Sequence, residues 1–112
     1  MGDLLFFFTI ISGVSFLIYG GLCIVSDHMK TEFERYGLTR FRRLVGALEF
    51  LGGGGLLVGL FLPGLLIFSA FGLALLMALG IGVRLRVKDR WIEIVPAAVL
   101  GFINAAIVGM AW

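Results

Sequence analysis

Charge is scarce in this chain, and so are the side chains that carry most protein chemistry. Its 112 residues include one cysteine, one histidine and two prolines, and only 14% are charged, against about 25% in an ordinary soluble domain. A single thiol, Cys23, forms no disulfide within the chain and no C-x-x-C redox pair. A single imidazole, His28, cannot build a zinc site of the usual multi-ligand kind. The few basic residues make no continuous basic surface, so nucleic acid is excluded as a partner. These absences also exclude a secreted disulfide scaffold and a soluble enzyme.

What is present is apolar. The hydrophobic share is 61%, with 17 glycines besides, and the mean hydropathy is +1.12. A soluble core of this length could not bury so much apolar surface, so lipid is the expected solvent. Four runs approach the roughly 20 residues that a spanning helix needs: 4–25, 44–62, 65–83 and 94–112. They predict an all-α membrane protein, an up-and-down four-helix transmembrane bundle forming a single membrane domain over residues 1–112. The first run lacks a basic leader and a small-residue cleavage site, and is expected to stay as a span rather than leave as a signal peptide.

The connections differ in kind. Pro63–Gly64 predicts a minimal turn and a tight hairpin. Arg84–Glu93 is a short charged loop with Trp91 at belt position, and Pro96 falls near the expected start of the last helix, where a missing N–H costs nothing. In Ser26–Arg43, Met29, Phe33 and Tyr36 recur at helical spacing. They predict a short cytoplasmic or interfacial helix between the first two spans, or an extension of the first. Gly37 is its expected stop, and Thr39 the expected cap of the next helix.

All nine Lys and Arg residues lie in the two loops Lys30–Arg43 and Arg84–Arg90. With four spans these loops share one side. The positive-inside rule makes that side cytoplasmic and puts both termini outside, and a bacterial inner membrane is the expected location. Anionic headgroups suit such loops.

Candidate site residues are few. Glu49 is the one ionisable group inside a run, roughly 7.5 Å below the boundary at Leu44. Intramembrane acids are expensive and are functional candidates by default. Helical side chains lean toward their own N-terminus, so Glu49 and Arg84 on antiparallel helices lean toward each other. A structural ion pair or headgroup-level hydrogen bond is expected, with a ligand or proton site as the alternative. Asn104 needs a partner such as Ser12, Ser15 or a backbone carbonyl, and Tyr19 shares a helix face with Cys23. Gly46 and the run Gly52, Gly53, Gly54 and Gly55 permit a kink, a close helix contact, or a cleft for a lipid tail or ring. Small residues every fourth position, Ala70 to Gly82 and Ala97 to Gly109, predict packing within the bundle. His28 and Glu32, one turn apart, read as a solvated face rather than a metal site.

The stretch EFERYGLTRFRRLVGALEFLGGGGLLVGL, followed by GLALLMALGIGVRLRVKDR, resembles the DoxX-like family of small four-helix membrane proteins. The matching elements are Tyr36–Gly37, the Gly46-x-x-Glu49 step with glycines after it, and Gly72 to Met77 before a basic loop. The resemblance implies an up-and-down bundle in a bacterial inner membrane. Some relatives are associated with quinone-linked sulfur oxidation or oxidative-stress complexes, and a distant animal branch includes a receptor-assembly chaperone. No catalytic residues carry over. The expected function is a non-catalytic accessory or assembly bundle without a cofactor, binding membrane lipid, a hydrophobic ligand, or a membrane protein partner or second copy. The alternative is a quinone-linked oxidoreductase subunit. A proton-coupled exporter is a third option, but small multidrug exporters pair antiparallel with weak charge bias and carry their glutamate in the first helix.

Overall fold

The computed structural model describes residues 2–111. Apolar sequence that must satisfy its own backbone hydrogen bonds forms helices, and five follow in order: α1 (Gly2–Val25), α2 (Asp27–Tyr36), α3 (Arg42–Gly59), α4 (Pro63–Arg86) and α5 (Trp91–Ala111). Three segments are long and apolar enough to cross a membrane: Asp3–Val25, Pro63–Arg86 and Ile94–Ala111. Arg42, Arg43 and Glu49 within its 18 residues set α3 apart from them.

The most extensive packing is α1 on α3, then α4 on α5, with α3–α4 and α1–α5 contacts completing the set. Phe16, Leu56, Leu73, Leu100 and Ile107 form the centre of the core. The outside is as apolar as the inside: Phe61 is 84% exposed, Phe68 78% and Phe102 74%. Large aromatic rings in water would carry the full hydrophobic penalty. In lipid they carry none, so the helices and their surface together describe a membrane protein.

Backbone contact between α1 and α3 rests on paired glycines. A Cβ on Gly53 would sit 2.7 Å from the Gly13 carbonyl oxygen, and one on Gly20 would sit 2.7 Å from that of Gly46. On each helix the two glycines, Gly13 and Gly20 on α1 and Gly46 and Gly53 on α3, are seven residues apart in sequence, so they return to one face on antiparallel helices. Gly46 and Gly53 pack closely as the sequence predicts, and the structure supplies their partners Gly20 and Gly13, which no pattern within α1 marks. The four-residue stripes behave differently. Ala70 and Ala97 are buried, but Ala78, Gly82, Ala105 and Gly109 are exposed. A step of four residues overshoots the helical turn by about 40°, so each stripe winds off its contact face.

Three local expectations need correction. The α3–α4 turn is Leu60–Leu62, not Pro63–Gly64; Pro63 is instead the first residue of α4, where its fixed φ suits helix entry. Pro96 lies inside α5, which begins earlier, at Trp91. Its missing N–H therefore frees the Ile92 carbonyl, one turn back at the helix's N-terminal end. Thr39 does not cap α3. It opens a single 3-10 turn, and no side chain caps the helix that follows.

Candidate functional site

The end of the molecule that carries α2 is built by two chain reversals of the same type. At the end of α2, Gly37 has φ 76°. There the Leu38 N–H donates to the Phe33 carbonyl and the Gly37 N–H to Glu34. At the end of α4, Lys88 has φ 60°, while Asp89 N–H donates to Arg84 and Lys88 N–H to Leu85. Both are Schellman endings. The second holds Asp89 against α2, where Arg35 donates to its two oxygens at 2.6 and 3.2 Å. Arg35 also bonds Glu32. These bonds hold the Asp89 carboxyl below its ordinary value and raise that of the Arg35 guanidinium.

Two further arginines fasten the same end. Arg86 donates to the Tyr36 carbonyl at 2.7 Å. Arg42 donates to the Cys23 carbonyl at 3.0 Å and to that of Ile24. Each satisfies carbonyls that a helix C-terminus leaves open. Residues that set the charge bias are thus structural ties as well, a double role that composition hides.

So fastened, α2 lies over the ends of α3 and α4. Phe33 and Tyr36 are buried with Cys23, and their rings meet edge to face at 5.7 Å. Burial is the main cause that pushes the Tyr36 phenol above its ordinary value, so it stays neutral. Beneath this roof are two cavities. One, of about 320 Å³, lies under Met29, Phe33 and Tyr36 between α3 and α4. The other, of about 340 Å³, opens beside Tyr19, Ser26 and His28 toward α1 and α5. Met29, Glu49, Met77 and Arg84 line both.

Glu49 and Arg84 are therefore brought to one place, but they form no ion pair within 4 Å among the described residues. Arg84 does lean toward the start of its helix: its Nη1 lies 3.5 Å from where a Cβ on Gly80 would be. Its guanidinium carbon is 5.9 Å from the centroid of the Tyr36 ring. The pair faces open space rather than closing on itself.

A third cavity, of about 400 Å³, continues down the α3–α4 seam over Gly52, Gly55, Ser69 and Gly72. It shares Leu76 with the first cavity. The glycine run divides its work. Gly53 packs on α1, Gly52 and Gly55 face Leu73 and Ser69 of α4, and Gly54 has nothing near it. The result is a nearly wholly apolar trough with one charged end.

The remaining candidates lie elsewhere. Asn104 is fully buried, and its Nδ2 donates to Ser12 Oγ and to the Leu100 carbonyl, both at 2.8 Å. Its Oδ1 has no partner among the described residues. Tyr19 does not share the burial of Cys23: it is 46% exposed, whereas Cys23 is 1% exposed, its Sγ 3.4 Å from the Arg42 carbonyl oxygen. Four residues along a helix share a face only approximately. Among the described residues no three His, Cys, Asp or Glu side chains come together to hold a metal.

Residues 4–107 match the family model described as the DoxX-like family. The chain belongs to the DoxX-like family. No curated protein and no solved structure was found to match it. The match covers most of α1, all of α2, α3 and α4, and most of α5, so the roof, the Glu49–Arg84 end and the seam of this DoxX-like protein all fall within it.

Proposed function

We propose that this DoxX-like protein is a non-catalytic membrane bundle that binds a lipid or similar hydrophobic molecule along the α3–α4 seam and serves a membrane partner as an accessory or assembly factor. The observation that carries this is a trough with apolar walls running from Gly55 and Ser69 to a single charged end at Glu49 and Arg84. Ligand sites are concave and mostly apolar, with few polar groups to set orientation. In this reading α3 is the fourth span, because only Glu49 is charged from Leu44 to Leu62. The roof and basic loops then face the cytoplasm of a bacterial cell.

Extraction and mass spectrometry of protein purified in mild detergent test the proposal. A hydrophobic molecule should co-purify, and Gly72→Leu should displace it. Gly72 lines the trough and a Cβ there meets nothing within 4 Å, so this change fills the cavity without disturbing the packing. Protein free of any such molecule would overturn the proposal. A bound compound whose ultraviolet absorbance bleaches on reduction would instead establish the quinone-linked alternative.

A further inference from the structure

Glu49 and Arg84 are opposite in charge type, line the same two cavities, and do not pair with each other. Neither makes a hydrogen bond to another described residue. Three other arginines of this end are engaged, Arg35 by Asp89 and Glu32, Arg42 and Arg86 by helix carbonyls, and of the cations here Arg84 is the one that lines both cavities. A half-buried acid and a half-buried arginine that line mostly apolar cavities are each open to a counter-group. A purely anionic head would satisfy Arg84 and be repelled by Glu49; a purely cationic one would do the reverse. A head carrying both signs a few bonds apart satisfies the two together.

Resting on the lipid-binding reading above, we infer that the ligand is a zwitterionic phospholipid with a primary ammonium, of the ethanolamine class. Its phosphate is held by Arg84 and its ammonium by Glu49, with one acyl chain on the glycine-lined seam. Three features fit this placement. Tyr36 and Phe33 roof the charged end. Leu76 borders both the charged cavity and the apolar one, so the two are neighbours along the α3–α4 seam and place head and chain side by side. The second cavity, on the other side of the same four residues, gives a second chain its own exit beside Phe16, Leu22 and Leu100. A primary ammonium also donates hydrogen bonds that a quaternary one lacks, which suits a carboxyl group with no other donor.

The test is native mass spectrometry of the delipidated protein, titrated with phosphatidylethanolamine, phosphatidylglycerol and phosphatidylcholine of identical acyl chains. The ethanolamine lipid is expected to bind about fivefold or more tighter than either of the others. Glu49→Gln should reduce that preference to within about twofold while apolar binding persists. Glu49→Asp keeps the charge and should keep the preference, provided its thermal midpoint matches the parent. Arg84→Gln should weaken all three lipids alike, because each carries the phosphate that Arg84 holds. Equal binding of all three lipids by the parent protein, or a preference untouched by Glu49→Gln, overturns the inference and leaves lipid binding standing. Failure of every lipid to bind, with Gly72→Leu indistinguishable from the parent, overturns the lipid-binding reading itself.

Discussion

Gly37 and Lys88 occupy the same left-handed position in two Schellman endings, and the comparison isolates what one side chain costs. A non-glycine residue there carries roughly 1–2 kcal/mol of steric strain. Gly37→Ala should therefore lower stability by about 1 kcal/mol, whereas Lys88→Gly should raise it by about 0.5 kcal/mol, the gain being offset by a more flexible unfolded chain. Thermal unfolding in detergent measures both. The glycines of α3 make a second contrast. Gly53→Ala drives a Cβ into the Gly13 carbonyl and should cost about 1–3 kcal/mol. Gly54→Ala meets nothing and should be neutral or stabilising by up to about 1 kcal/mol.

At the scale of the element, α2 is a roof held in part by one carboxylate. Arg35 holds Asp89 below its ordinary value, so the native state favours the ionised form. The contribution is complete above the unfolded value of about 3.9 and is lost as pH falls through the lowered native value. Hydrogen exchange across Asp27–Tyr36 should therefore be slow at neutral pH and accelerate in strong acid. Asp89→Asn should exchange faster at neutral pH and lose most of the acid response. An acid response of unchanged size in that variant would mean that another group tethers α2. Arg86, which bonds the Tyr36 carbonyl, supplies a second hold on the same helix.

At the scale of the whole molecule, the distribution of the basic residues predicts an orientation that labelling can check. In a Cys23→Ser background, cysteines at His28 and Arg90 should be protected from impermeant thiol reagents in intact cells, and one at Phe61 should react. The three sites lie in α2, in the α4–α5 loop and in the α3–α4 turn. Labelling of all three in one population would mean that the chain inserts both ways, as an antiparallel exporter does. Cys23→Ser itself should leave folding almost unchanged, because a buried lone thiol acts as a small hydrophobe.

Local chemistry was enough to reveal the helical class, the membrane environment, the stop at Gly37 and the candidacy of Glu49 and Arg84. Each rests on a property that one run of residues carries alone: apolar length, a left-handed glycine, a charge in a hydrophobic segment. The pairing of Gly13 and Gly20 with Gly53 and Gly46, the engagement of Arg35 with Asp89, and the open space between Glu49 and Arg84 depend on how separate helices approach. Helix tilt and register come from packing between faces, and no periodicity within one helix contains them. Even the local misplacements have this character. Thr39 and Pro96 were assigned roles by residue type, but packing and turn geometry moved the helix boundaries by a few residues, and with them the meaning of each position.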